Sequence, residues 1–321
     1  MADRSAVEQA YQQSMRGVLV VPHPAPGLLR AEGLTWLDLL QRMSTNDLAG
    51  MQAGEVRQTV LTTAVARIID VIWVVMREHE GLLMTSPGRG PRVRDWLERH
   101  IFFQDDVRLH EVEEGWAFWG FYGPQAHEAT RRIAPMETGA SGRAVDWGGG
   151  VAWKVDRPAG GGVRLLLAPD AAAESRQLWG KGADGAQEAY DILRIESGIP
   201  ETDVEIVGDS LPLEVELREA VSFTKGCYIG QEIIARMESR GKLAKELLGV
   251  RAGSVLVPGE GVTQNGRAVG RVTSAALSPE LGAIALASVR PAALEEAGGA
   301  VEVGERKVPG RLVRLPFAAE G

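Results

Sequence analysis

Apolar residues in LTWLDLLQRM (34–43) recur at Leu34, Leu37, Leu40 and at Trp36, Leu39, Met43, the spacing of an amphipathic helix. Thr35, with Asp38 three residues on, resembles a capping box, and STNDL (44–48) stops the helix with small polar residues. VRQTVLTT (56–63) and IIDVIWVVM (68–76) are rich in β-branched residues and read as strands. The second is almost continuously apolar, which predicts cover on both faces, with Asp70 as the interruption. EHEG (78–81) reads as a turn and LLMTS (82–86) as a short strand. PRVRDWLERHI (91–101) reads as a helix with Pro91 in its first turn.

The pattern then recurs. VRLHEV and WAFWGFY read as strands, and PQAHEATRRIA as a helix. VAWKV and VRLLLA read as strands turning at Gly160–Gly162, and AAAESRQLW as a helix. Residues 45–180 thus alternate strand pairs with helices, which predicts an α+β fold of the split βαβ kind. AQEAYDILRIES (186–197) is a further helix ending on Gly198, with Pro200 after it. Past about residue 243 helical spacing fades and short apolar runs alternate with glycines, as in a small β-barrel. Asn265-Gly266 is a hairpin signal within it.

Composition narrows the possibilities. A chain of 321 residues is expected to divide into two or three domains. The net charge of −8 argues against broad, sequence-independent nucleic-acid binding and leaves open only a local basic face. MADRSAVEQAYQQSMRG has no apolar core, so it is not a signal peptide, and no run approaches the ~20 apolar residues of a membrane span. The single cysteine cannot form an internal disulfide or, within one chain, hold an iron–sulfur cluster or structural zinc. A cytoplasmic location follows as the expectation. His23, His79, His100, His110 and His127 show no ligand spacing, and no metal is expected.

Four places could carry chemistry. Cys227, in FTKGCYIGQEIIARMESRGK (223–242), precedes a helix expected to begin near Ile229–Gln231 and to end at Gly241. A helix N-terminus and the nearby Lys225 both favour a thiolate, and Gly226 and Gly230 permit a tight turn or close approach. Two readings stand: a reactive thiol, or a small buried residue ahead of a helix. Glu232, Arg236 and Arg240 share one helix face, read either as solvated ion pairs or, with Lys242 and Lys245, as a basic lip for an anionic tail. Glu196, in the last turn of its helix, opposes the helix dipole, and is either a tolerated surface charge or an acceptor for a ligand. Asp70 is costly inside an apolar strand, so it faces out at an edge or into a polar cavity. The triple glycines at 148–150 and 160–162 lack phosphate-loop spacing and read as loops.

KGCYIGQE followed by IIARMESRGK resembles the signature of the YgfZ proteins, folate-binding relatives of the glycine-cleavage aminomethyltransferase (T-protein, GcvT). WLDLLQRMSTNDL, RIESGIPETDVEI, LPLEVELREAVSFTKGCY and GRAVGRVTSAALSPELGAIALASVR resemble further stretches of that family in the same order. The resemblance implies a GcvT-like fold. Residues 1–242 would form two interleaved α/β subdomains and 243–321 a C-terminal β-barrel, around a central channel for tetrahydrofolate. It implies Glu196 as the pterin ligand and Asp70 near the folate nitrogen. It also implies Cys227, facing the channel, with Lys225 and Asp70 as catalytic groups, and Tyr228, Gln231, Glu232 and Arg236 as further folate-binding residues. ARIIDV keeps one aspartate of the transferase's aspartate pair, Val71 takes the second place, and Thr85-Ser86 replaces an asparagine-bearing stretch. Both changes weigh against aminomethyl transfer. The implied role is a folate-binding accessory protein for iron–sulfur enzymes and the tRNA modification that depends on them, with folate, client enzymes and tRNA as partners and no membrane. The alternative is a folate-dependent aminomethyl or one-carbon transferase.

Overall fold

The computed structural model describes residues 3–131, 133–134, 142–147, 149–180 and 182–317. The chain enters through α1 (Arg4–Arg16), β1 (Leu19–His23) and β2 (Gly27–Glu32). It continues through α2 (Trp36–Met43), β3 (Val56–Thr62), β4 (Ile68–Met76), β5 (Gly81–Thr85), α3 (Gly90–Glu98) and β6 (Arg108–Glu111). Next come β7 (Ala117–Tyr122), α4 (Ala126–Thr130), β8 (Ala144–Trp147), β9 (Gly150–Val155), β10 (Gly162–Leu167), α5 (Pro169–Trp179) and α6 (Ala186–Glu196). After a long irregular stretch follow α7 (Gln231–Arg240), β11 (Glu246–Ala252), β12 (Gly261–Gln264), β13 (Arg267–Ser278), β14 (Gly282–Val289), β15 (Ala300–Val303) and β16 (Val308–Val313).

These elements build two five-stranded antiparallel sheets, ordered β3-β4-β5-β2-β6 and β1-β7-β10-β9-β8, and a closed six-stranded barrel, β11-β14-β13-β12-β15-β16. The α+β class and the β-barrel expected from the sequence are therefore present. Alternation along each strand decides which layer a side chain joins. Ile72 and Val74 of β4 pack with Leu39, Leu40, Val93 and Leu97 of α2 and α3. Val75, on the opposite face, meets Trp153 and Leu166 of the second sheet. Each such fully buried aliphatic residue contributes about 1.5–3 kcal/mol of transfer free energy. This two-sided cover is why 68–76 is almost continuously apolar.

The other side of the second sheet carries α4 and α5, through Trp119, Phe121, Leu165 and Ala172. Helix α6 fills the space between this sheet and the barrel. Ala189 and Leu193 pack with Tyr11 and Val21, while Ile195 packs with Leu247, Ile284 and Phe317.

Several local readings need revision. Helix α1 and strands β1 and β2 have no counterpart in the sequence reading; α1 forms because Ala10, Tyr11 and Ser14 find a surface on neighbouring elements. Thr35 does not cap α2 with its side chain. Its Oγ1 accepts the Asp106 backbone N–H at 2.8 Å, so a tertiary contact displaces the local one. The helix expected over 124–134 is only Ala126–Thr130. Gly160 and Gly161 turn between β9 and β10 with positive φ, Gly150 and Gly162 begin those strands, and Gly148 lies outside the described residues. The barrel hairpin is as expected. Asn265 (φ +51°) and Gly266 (φ +73°) join β12 to β13 with both central residues left-handed, as a type I′ turn demands.

Candidate functional site

Between the two sheets, closed over by residues 199–220, lies a cleft of about 430 Å³. A hollow of about 440 Å³ shares His23, Tyr190 and Pro200 with it, and another of about 190 Å³ shares Trp73, Arg157 and Arg164, so the three run into one another as a channel. Strand alternation aims Val71 and Trp73 of β4 into this space, which is why both are only half-buried.

The floor is aromatic with one embedded cation. The Arg164 guanidinium, from the central strand of the second sheet, lies 5.5 Å from the centre of the Trp73 ring and 6.0 Å from that of Phe118. Tyr122 and Tyr190 stack with ring centres 5.1 Å apart, and the His23 ring meets Tyr190 edge-on at 4.7 Å. His23 Nε2 and the Tyr122 hydroxyl are 2.7 Å apart. Burial, with Arg164 nearby, pulls the His23 pKa down to about 3, so this ring is neutral at physiological pH. In the sequence His23 shows no ligand spacing, and Trp73, Phe118, Arg164 and Tyr190 stand in no motif that marks them. Period-two alternation in VRLLL could have flagged Arg164 as a charge on a core-facing register.

Four carboxylates line the cleft, and three have cationic partners. Glu201 pairs with Arg194 at 3.1 Å, Glu219 with Arg157 at 3.2 Å, and Asp203 with Arg89. The Glu216 side chain makes no hydrogen bond or ion pair among the described residues. Burial first, then Glu246, raises its pKa. Glu216 also holds a left-handed backbone, φ +59° and ψ 28°, which costs about 1–2 kcal/mol for a residue with a Cβ. Asp70 stands one shell behind the lining. It accepts the Ser86 backbone N–H at 2.9 Å and its hydroxyl at 2.6 Å, and Ser86 Oγ in turn meets Thr202 Oγ1 at 3.0 Å. Asp70 thus resolves as a buried carboxylate, its pKa raised by burial, that orients a cleft-lining serine.

Glu196, expected as the pterin ligand, does not line the cleft. Its carboxylate accepts the Tyr11 hydroxyl at 3.1 Å and the Ser278 hydroxyl at 2.5 Å, tying α1, α6 and the barrel together. Its partner in the RIESG stretch does similar work. Arg194 donates to Ser274 Oγ at 3.0 Å and pairs with Glu205, whose other oxygen accepts the Ser274 hydroxyl at 2.6 Å.

The KGCYIGQE loop also lies outside the lining. Lys225 is buried. Its Nζ donates to the carbonyls of Gln41, Ser44 and Asn46 at 2.7, 2.9 and 2.6 Å, taking up the carbonyls at the C-terminal end of α2. Burial pulls its pKa to about 8, and the nearby Asp47 carboxylate opposes that pull by favouring the charged form. The ammonium is thus taken up by carbonyls, with Tyr228's ring centre 5.0 Å away, rather than by a thiolate at Cys227. Cys227 is exposed, not the small buried residue of the second reading. Ile229 anchors the loop by donating to the Arg42 carbonyl at 2.9 Å and accepting the Thr62 hydroxyl at 3.0 Å. Gly230 (φ +82°) opens α7, and a Cβ there would come within 2.8 Å of the Thr63 carbonyl oxygen. Gln231 is half-buried, while Glu232, Arg236 and Arg240 are exposed, with no ion pair among them in the described residues. With Lys225 buried and Lys245 paired to Asp209 at 3.0 Å, the basic lip reduces to Arg236, Arg240 and Lys242.

No helix among the described residues is long and apolar enough to cross a membrane, and no cluster of three or more metal-ligating side chains occurs among them. The GCVT N-terminal domain matches residues 6–148 and the glycine cleavage T-protein C-terminal barrel domain matches residues 245–318. An aminomethyltransferase of Rubrobacter xylanophilus is 30% identical over 294 residues, covering 87% of this chain and 77% of that protein. A chloroplastic protein of Arabidopsis thaliana, At1g60990, named as a transferase, is 25% identical over 280 residues; the match covers 83% of this chain but only 64% of that protein. The crystal structure of the glycine cleavage system aminomethyltransferase T from Bartonella henselae superposes with a TM-score of 0.85 at 20% identity, over 99% of this chain and 91% of the other, a likeness of fold.

Proposed function

The chain belongs to the glycine cleavage T-protein (GcvT) family, and from that premise we propose that its central cleft binds tetrahydrofolate or a close derivative, in a protein that serves as an accessory factor of the YgfZ kind. The observation that carries this reading is an aromatic-walled cleft with one carboxylate, Glu216, that has no hydrogen bond or ion pair among the described residues. A reduced pterin is flat and presents adjacent N–H donors along one edge. Trp73, Phe118 and Tyr190 offer faces and edges for the folate's aromatic rings, its p-aminobenzoyl ring among them, and Glu216 offers the acceptor for the pterin edge. Asp70 holds the Ser86 hydroxyl at the wall, beside Thr202. When bound, the folate would supply its nitrogens as one-carbon carriers; the protein's own part is to orient the ring and exclude water.

The accessory role rests on the likeness of KGCYIGQE to the YgfZ signature and concerns a different face from the cleft. An exposed Cys227, on a loop pinned by Lys225 and Ile229, is open to a partner macromolecule such as an iron–sulfur client enzyme. Arg236, Arg240 and Lys242 nearby leave room for tRNA contact. Gln231, Glu232 and Arg236 would then serve this outer face, and Tyr228 would support it from beneath. Relatives named aminomethyltransferase favour a second reading, one-carbon transfer at the cleft, in which Asp70 acts through Ser86.

Calorimetric titration with tetrahydrofolate tests the binding. The expected result is saturable binding that Glu216→Gln weakens about tenfold or more, a loss on the scale of one charge-assisted hydrogen bond. Absence of binding to folded wild type sinks the proposal. Turnover with an aminomethylated lipoyl-protein substrate would favour the second reading over the first. For the outer face, Cys227→Ala should abolish the cellular function while leaving unfolding unchanged within ~0.5 kcal/mol.

A further inference from the structure

We propose that Arg164 is the seat of a ligand carboxylate in the central cleft, so that the ligand is anionic at the end opposite its pterin edge. This rests on the folate reading above and deepens it. On β10, Val163, Leu165 and Leu167 pack against the helical layer, so Arg164 and Leu166 face the other sheet. Leu166 is buried there among Trp153, Val75 and Met84. A strand register that is otherwise core carries an arginine, and burying an unpaired charge is among the most expensive things a fold can do.

No carboxylate among the described residues forms an ion pair with that charge. Arg89, Arg157 and Arg194, around the same channel, each face a carboxylate at ion-pairing distance. Arg164 has none among the described residues, and its Nε is shut off from solvent without a hydrogen-bond partner. The Tyr122 and Tyr190 phenols accept hydrogen bonds from it, and the Trp73 and Phe118 rings and the neutral His23 complete its surroundings. These groups tolerate a cation and do not cancel it. The guanidinium nevertheless lines both the main cleft and the adjoining hollow, so an incoming group can reach it. A planar fork set between aromatic faces matches a carboxylate carried on a flat ligand, which it grips through two parallel hydrogen bonds. The glutamate end of a folate supplies such a group.

The test compares tetrahydrofolate with 6-methyltetrahydropterin, which keeps the pterin and lacks every carboxylate. Both are titrated into wild type, Arg164→Met and Arg164→Lys, with unfolding curves for each protein. The expected result is that Arg164→Met weakens tetrahydrofolate about 30-fold or more, leaves 6-methyltetrahydropterin unchanged within about twofold, and unfolds at the same or higher denaturant concentration. Arg164→Lys, which keeps the charge without the fork, should lose less. Equal weakening of both ligands, or none of either, overturns the assignment of Arg164 and spares the folate reading. A folded wild type that binds neither compound overturns both.

Discussion

Ser278, the last residue of β13, donates its hydroxyl to the Glu196 carboxylate at 2.5 Å, and so fastens the barrel to the end of α6. Tyr11 of α1 donates to the same carboxylate. Ser278→Ala and Glu196→Gln should each cost about 1–2 kcal/mol of stability. The double variant should cost less than the sum by about 1 kcal/mol, because both remove one shared interaction. A double-mutant cycle in urea measures this; strict additivity would mean the contact carries no energy.

Lys225 is expected to matter more to the fold than its exposed neighbours. Lys225→Met leaves the carbonyls of Gln41, Ser44 and Asn46 without their donor and should cost roughly 2–4 kcal/mol, against near zero for Cys227→Ala. Equilibrium denaturation of the two variants side by side decides it.

Acid should expose His23. Its folded pKa is depressed to about 3 from an ordinary 6.5, so in that window the unfolded chain takes up a proton that the folded chain refuses. Stability from this group is therefore intact above pH 6.5 and falls as the pH drops toward 3, by at most about 1.4 kcal/mol per pH unit. Asp70, Glu196 and Glu216 have raised pKa values and act in the opposite sense. The measurement is thus the difference between wild type and His23→Gln across pH 4–7, which should narrow as the pH falls; a flat difference refutes it.

Glu216 separates stability from binding. Replacing a left-handed glutamate with glycine relieves its backbone, so Glu216→Gly should stabilise the protein by up to about 1 kcal/mol while weakening tetrahydrofolate. Gly266→Ala runs the other way. It forces a Cβ onto φ +73° in the barrel hairpin and should cost about 1 kcal/mol. Thermal unfolding of both variants reads the two signs together.

Much of this architecture is written locally. Residues 68–76 declare β4 by their β-branched run, Gly241 ends α7 with φ +57°, and Asn265-Gly266 closes the hairpin, because each depends on torsional preference and alternation over a few residues. The helix start after Gly230 was legible for the same reason. Short pieces such as α1 and β1 were not, since Tyr11 and Val21 hold them in place only through partners far along the chain.

The site divides along the same line. The sequence alone determined that Cys227 stands in a glycine-flanked loop ahead of a helix, that Asp70 interrupts an apolar strand, and that a barrel closes the chain. Only the tertiary structure decided what these charges face. Glu196 turns to Tyr11 and Ser278, Lys225 to three carbonyls, and Asp70 to Ser86, while Arg164 and Glu216 are left facing the cleft without an ion-pair partner among the described residues. Spacing along a chain fixes which side of an element a residue occupies. Whether a charge on that side is satisfied depends on groups as far away as the 185 residues separating Tyr11 from Glu196, and folding alone brings them together.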